Sequence, residues 1–278
     1  MKETLYRLGA DIAAPINAAL LTDLHDRPFD SILASLEQNE PDLILIAGDL
    51  IVGRPPLDED SLKMAEAKHA LSFLRACARQ ADTFVSLGNH EWMLCEEDLA
   101  LIRQTGAVLL DDEWQPWRGL AIGGLTPERV RHYRAFRAEQ RTPGTGACRY
   151  PQGDWGRPDT DHRRSAQDFL DRFEQAPGYK LLLCHHPEYW TQKNPPLRDR
   201  RIDLTVSGHA HGGQWRFYWR GFWRGVFAPG QGPFPQYTEG LHEGPMGRLI
   251  VSRGLSNTCA PIPRFMNPRE IVYIRLEP

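Results

Sequence analysis

Short apolar runs recur along the chain, and each one stops at a polar or glycine-containing segment. Residues 18–21 lead into Asp23, 43–47 into Gly48-Asp49, 84–87 into Gly88-Asn89, 181–183 into His185, and 204–206 into Gly208-His209. Runs this short, bounded by turn signals, read as buried strands, and the polar segments read as loops gathered along one edge of a sheet system. Helical periodicity fills the intervals 29–38, 61–79, 96–105 and 165–175. Gly106 after the third is a stop signal, and Ser165 with Asp168 opens the fourth as a capping box. The early β-α-β-α-β order gives way to a strand-rich second half, in which 225–227, 249–251 and 271–276 are further strands. The pattern predicts a layered α/β fold: an α-β-β-α four-layer sandwich with two mixed β-sheets inside, helices outside, and a site on loops at strand C-terminal ends.

Two segments break the pattern. Residues 129–164 hold nine arginines and no lysine, against Glu139, Asp154, Asp159 and Asp161, and are rich in Gly, Pro and Thr. They read as a long loop or lid-like insertion whose arginines either clamp phosphate or pair with local acids. Residues 214–224 alternate aromatic and basic side chains around Gly221 and predict a β-hairpin. Alternation of Trp215, Phe217 and Trp219 favours one side facing the core, with a lipid- or base-contacting surface as the other reading.

Composition narrows the class. With 278 residues, 41% of them hydrophobic, the chain has enough material for a substantial core. Because the polar segments run from Asp23 to His211, a single domain over 1–278 is expected. A net charge of −3 gives no global drive toward nucleic acid or an anionic surface. Cys77, Cys95, Cys148, Cys184 and Cys259 are odd in number and form no C-x-x-C pair, so a reduced, cytoplasmic setting is expected. No stretch approaches the ~20 apolar residues of a membrane span.

The polar segments carry the chemistry. Asp23-Leu24-His25, Gly48-Asp49, Gly88-Asn89-His90-Glu91, Cys184-His185-His186 and Gly208-His209-Ala210-His211 supply carboxylate, imidazole and amide donors suited to one two-metal site. Asp23 with His25, and His209 with His211, are spaced so that each pair projects to one side of a locally extended backbone. Asp49 has two oxygens with which to bridge two cations. Gly48, Gly88 and Gly208 let the chain turn sharply at the strand ends. Cys184 reads as a buried strand residue, and His186 either contacts substrate or fills space beside Pro187.

The ordered set D-x-H, G-D, G-N-H-E, H and G-H-x-H resembles the calcineurin-like metallophosphoesterase superfamily. Gly208-His-Ala-His-Gly-Gly-Gln214, Ser252-Arg-Gly-Leu-Ser256 and Asn267-Pro-Arg-Glu-Ile271 are further similar to a bacterial single-domain phosphodiesterase branch. The resemblance implies one metal held by Asp23, His25, Asp49 and His211, and a second held by Asp49, Asn89, His185 and His209. It also implies that His90 protonates the leaving oxygen as general acid, with Glu91 either orienting it or solvated. Arg253 and Arg264, near the family-like C-terminal segments, are candidate phosphate contacts.

Two divalent cations less Asp23, Asp49 and a bridging hydroxide leave a mildly positive site, matched to in-line attack on a phosphodiester monoanion. Donors of nitrogen and oxygen alone suit Mn, Fe, Zn or Ni, as two divalent or mixed-valence ions. The superfamily often has a second acid after Gly-Asp; here the run is Leu50-Ile51-Val52, which removes outer support rather than a ligand. A small phosphodiester or phosphate ester is thus the expected substrate. The alternatives are a nuclease, a lipid or nucleotide-sugar pyrophosphatase, and a catalytically silent scaffold.

Overall fold

The computed structural model describes residues 1–54, 61–139, 160–191, 197–219, 221–256 and 263–278. The strands are β1 (Lys2–Gly9), β2 (Ile16–Leu21), β3 (Leu43–Ala47), β4 (Asp82–Ser86), β5 (Val108–Leu110), β6 (Glu113–Trp117), β7 (Leu120–Leu125) and β8 (Tyr179–Cys184). They continue as β9 (Leu204–Ser207), β10 (Arg216–Trp219), β11 (Phe222–Gly225), β12 (Phe227–Ala228), β13 (Gly232–Pro233), β14 (Gly240–Gly244), β15 (Gly247–Val251) and β16 (Glu270–Glu277). The helices are α1 (Asp30–Asn39), α2 (Lys63–Glu66), α3 (Ala70–Gln80), α4 (Glu96–Arg103), α5 (Glu128–Glu139) and α6 (Thr160–Glu174).

Two six-stranded mixed sheets form the centre, ordered β1-β16-β2-β3-β4-β5 and β14-β15-β9-β8-β7-β6. Strand period two decides which residues meet which layer. Leu43, Leu45 and Ala47 of β3 face Leu181, Leu183 and Val206 of the second sheet across a shared core. Ile44 and Ile46 point the other way, onto Ile32 and Leu36 of α1 and Phe73 and Cys77 of α3. On the far side, Leu182 and Cys184 meet Phe169, Leu170 and Phe173 of α6. The four α-β-β-α layers follow from this alternation, and β2, β3, β4, β8 and β9 all end where the ligand-type loops begin.

Local readings shift in several places. The helical pattern over 61–79 is two helices, α2 and α3, because Asp26 accepts the backbone N–H groups of Lys68, His69 and Ala70 and so starts α3 afresh. Helix α6 begins at Thr160, so Ser165 lies within it rather than at its cap; no Gly or Pro separates the two. The loop expected over 129–164 is helical at both described ends, in α5 and the start of α6; residues 140–159 lie outside the described residues. The strand expected at 225–227 is instead the end of β11 and the start of β12, with the N–H of Val226 donated to the carbonyls of Gly213 and Trp215. Strands β1 and β6 carry no apolar run: both lie at sheet edges, and β6 contains Pro116, which an edge tolerates.

Candidate metal centre

The five loops converge between the C-terminal ends of the two sheets. The N–H groups of Asp23, His25 and Asp26 donate to the carbonyls of Gly48, Asp49 and Leu50, which zips the loop after β2 to the loop after β3. His185, arriving on β8 of the opposite sheet, donates Nδ1–H to the carbonyl of Ala47 over 2.7 Å. The N–H of His209 reaches Asp23 Oδ1 at 3.2 Å. One backbone-anchored cluster thus spans both sheets.

The D-x-H and H-x-H pairs are not in extended backbone. Asp23 (φ 57°), His25 (φ 48°), Asp49 (φ 56°), His209 (φ 62°) and His211 (φ 46°) all occupy the left-handed region. This conformation costs a non-glycine residue on the order of 1–3 kcal/mol, and its concentration on five site residues shows backbone bent to aim side chains at one point. Of the three glycines expected at sharp turns, only Gly48 has positive φ. Gly88 serves closeness instead: a β-carbon there would lie 2.3 Å from Asp49 Oδ1.

Asp23, His25 and His211 bring one donor atom each within 4.8 Å of one another, and Asp49, His185 and His209 do the same. Asp49 Oδ2 lies 3.1 Å from His185 Nε2, 3.8 Å from His25 Nε2 and 3.9 Å from His90 Nε2. Yet Asp49 Oδ2, His185 Nε2 and Asn89 Oδ1 are buried without a hydrogen-bond partner. With Nδ1 of His185 committed to Ala47 as donor, its Nε2 carries the ring's lone pair in the neutral state. His25 Nδ1 is held likewise by the carbonyl of Ile51 at 3.3 Å, and its Nε2 faces His211 Nε2 at 3.4 Å. Arg264 Nη2 donates to His211 Nδ1, so a neutral His211 carries its proton on Nε2 and shares it with His25 Nε2 when no cation is bound. The orphaned buried acceptors and an all-N/O donor set fit divalent cations.

The electrostatics of the metal-free cluster agree. Burial raises the carboxyl of Asp49, but His185, His90 and His25 around it hold it well below the usual range. Burial depresses His185, but Asp49 and Asp23 outweigh it and leave the imidazole at about 10. His211 is pushed down to about 3 by burial, against the pull of Asp23, and burial with neighbouring His186 and His185 lowers His209 far below its ordinary value.

Glu91 neither orients His90 nor meets solvent. It is fully buried and accepts the N–H groups of Gly88, Asp49 and Ile51, tying the Asn89 loop to the Asp49 loop. Burial and the neighbouring Asp49 raise its carboxyl to about 7. His90 remains one-fifth exposed and accepts the N–H of Gly53 at Nδ1.

Other candidates resolve differently. Arg253 is bound by Glu239, which also takes Arg216. Arg264 places Nη2 2.6 Å from the carbonyls of Arg253 and Ser256 and 3.3 Å from His211 Nδ1. Asn267, in the third family-like segment, donates to the carbonyls of His211 and Gln214. Cys77, Cys95 and Cys184 are buried free thiols; Cys148 and Cys259 lie outside the described residues.

Sequence reasoning passed over Glu188. Its Oε1 accepts His186 Nδ1–H at 2.9 Å and lies 4.0 Å from His209 Nε2, and its Oε2 is buried without a partner. His186 stacks on Tyr189, ring centroids 4.7 Å apart, and its ring centroid is 4.1 Å from that of His209. An acid two residues after a histidine pair was the available signal.

Residues 16–213 match the family model for calcineurin-like phosphoesterases, and the chain belongs to that family. It is 28% identical over 263 residues to phosphodiesterase YaeI of Escherichia coli, covering 89% of this chain and 77% of that protein. It is 27% identical over 274 residues to an uncharacterized metallophosphoesterase of Helicobacter pylori, covering 93% of this chain but 59% of that protein. Among solved structures, TT1561 of Thermus thermophilus shares the fold with a TM-score of 0.51 at 12% identity, over 87% of this chain and 91% of that one. Among the described residues no helix is long and apolar enough to cross a membrane.

Proposed function

We propose that the chain is a two-metal phosphodiesterase. The observation that carries this reading is Asp49 Oδ2, buried, without a hydrogen-bond partner, and within 3.9 Å of ring nitrogens from His25, His90 and His185. Asp23, His25, Asp49 and His211 would hold one cation and Asp49, Asn89, His185 and His209 the other. Two divalent cations a few ångströms apart supply Lewis-acid charge to phosphoryl oxygens and make hydroxide available near neutral pH.

The chain's own residues do the rest. Ala47 and Ile51 carbonyls fix His185 and His25 in the tautomer whose Nε2 is a ligand. Glu91 locks the Asp49 and Asn89 loops at fixed separation. The Gly53 N–H on Nδ1 of His90 places the neutral ring's single proton on Nε2, where it offers the leaving oxygen a hydrogen bond; full proton transfer needs the imidazolium form. Asp23 and Asp49 leave the loaded site mildly cationic, which suits a phosphodiester monoanion, and the name of the E. coli relative points the same way.

The test is hydrolysis of a chromogenic aryl phosphodiester by metal-stripped protein before and after addition of Mn, Fe, Zn or Ni. Activity is expected only after metal addition and is expected to vanish in Asp49→Asn. Undiminished turnover by metal-stripped Asp49→Asn protein would overturn the reading.

A further inference from the structure

Nine of the twelve large apolar side chains that stand exposed among the described residues fall between residues 215 and 266. The antiparallel β10–β11 hairpin is their centre. Tyr218 (63% exposed) sits opposite Trp223 (47%), and Trp219 (56%) opposite Phe222 (67%). Directly opposed residues share a face and successive residues alternate faces, so both faces of the tip are aromatic. The expectation that Trp215, Phe217 and Trp219 face the core is thereby corrected for the two tryptophans, which are exposed, while Phe217 between them is half-buried. The hairpin's root is continuous with a second apolar segment, since Trp215 pairs with Phe265 and the N–H of Arg216 donates to the carbonyl of Phe265.

Charge follows the same segment. From Gln214 to Thr238 the sequence has Arg216, Arg220 and Arg224 and no acid, and from Arg253 to Arg269 it has three arginines and no acid, although acids outnumber basic residues in the whole chain, 36 to 33. Arg216 and Arg253 are engaged by Glu239, whereas Arg224 stands exposed on the hairpin. Trp and Tyr rings favour the boundary between lipid and water, where an apolar body and a polar edge are both satisfied. Arginine beside them is attracted to anionic headgroups. A flat protein surface, including one on a second copy of this chain, would cover only one face of a strand pair. A finger apolar on both faces is matched by a phase that surrounds it.

We propose that the β10–β11 hairpin docks this protein on an anionic lipid surface, with its aromatic tip in the headgroup region. His211 lies four residues before Trp215, and the Val226 N–H joins the hairpin's root to the carbonyl of Gly213 in the turn that follows His211. Docking therefore holds the candidate metal centre beside the membrane surface.

The experiment is sedimentation of full-length, metal-stripped protein with vesicles of phosphatidylcholine alone or mixed with phosphatidylglycerol. It reads docking without hydrolysis, so it stands apart from the phosphodiesterase reading. Binding is expected on the mixed vesicles, falling at least about tenfold in Trp219→Ser/Phe222→Ser and severalfold in Arg224→Glu. Circular dichroism of both variants is expected to match the parent, because the three side chains are exposed. Absence of vesicle binding, binding undiminished in the variants, or equal binding to phosphatidylcholine alone would overturn the proposal. So would loss of a lipid-independent dimer in Trp219→Ser/Phe222→Ser, seen by analytical ultracentrifugation, which would assign the surface to a second copy.

Discussion

The backbone N–H of Gly53 donates to Nδ1 of His90 over 2.8 Å. That one bond settles the ring's chemistry. The nitrogen that accepts from Gly53 cannot also carry a proton, so His90 is a neutral Nε2–H donor, in keeping with the downward shift that burial imposes on it. The cationic imidazole of ordinary general acid catalysis would require the Gly53 contact to open. A side chain at Gly53 would crowd this contact, because a β-carbon there would stand 3.0 Å from the His90 ring.

Leaving-group dependence is the consequence. A nitrophenolate departs without help, whereas an alkoxide needs a proton donor. His90→Ala is expected to lower turnover of an alkyl phosphodiester by ~10²–10⁴ and that of a nitrophenyl diester by much less. Rates for a series of diesters with leaving groups of graded basicity measure this. Equal losses across the series would remove His90 from the leaving oxygen.

Metal uptake is expected to release a proton at pH 8. In the metal-free protein burial opposes the charge on His185, but Asp49 and Asp23 prevail and hold its pKa at about 10. A metal needs the neutral ring, so the proton leaves on binding. Titration calorimetry in buffers of different ionisation enthalpy counts it. Because the folded value lies above the ordinary 6.5, the imidazolium's stabilisation is complete below pH 6.5 and lost as pH climbs through 10. Melting temperature of chelator-treated protein should therefore fall over that window, and the metal-loaded protein should lack this component.

Much of this was legible in the chain. The run Leu43–Ala47 reads as a buried strand and is one, because every position in it is buried and its residues favour a pleated core. The ligand-type residues Asp23, His25, Asp49, Asn89, His185, His209 and His211 are brought to one place, since each follows such a strand. What escaped the sequence is conformation that only tertiary contact enforces. Left-handed φ at Asp23 or His209 has only a weak signature in residue type, since Asp and His are enriched there without being confined to it; the hydrogen bonds linking Asp23 to Gly48 and to His209 hold it in place. The break before α3 depends on Asp26, more than forty residues upstream. The outward hairpin defeated an alternation rule that presumes one face has a core.

Phe173 is one of several α6 side chains that pack the outer layer onto the second sheet, with Phe169 and Leu170. Phe173 of α6 is fully buried against β7, and Gly123 on that strand makes the room: a β-carbon there would stand 2.8 Å from the ring. Phe173→Ala leaves a cavity the sheet cannot fill, and a loss of ~3–5 kcal/mol is expected. Urea unfolding of metal-free parent and variant, compared at equal slope, reads it. A loss below ~1 kcal/mol would mean that α6 repacks freely.

Glu188 is expected to act through His209. Its Oε1 accepts His186 Nδ1–H and stands 4.0 Å from His209 Nε2, near enough for its charge to act on that imidazole without a hydrogen bond. Gly230 is what keeps it there, since a β-carbon at that residue would come within 2.0 Å of Oε1. Glu188→Gln keeps shape and removes charge; Gly230→Ala keeps charge and displaces the side chain, at a backbone φ of 73° that alanine resists. Each should weaken metal binding by ~10–100-fold, read as metal retained after dialysis against a graded chelator. The two changes combined should lose little more than the larger alone, because both act on the same contact. Additive losses would instead place Gly230 in the stability of its own turn, and undiminished metal retention in Glu188→Gln would leave Glu188 without a part in holding His209.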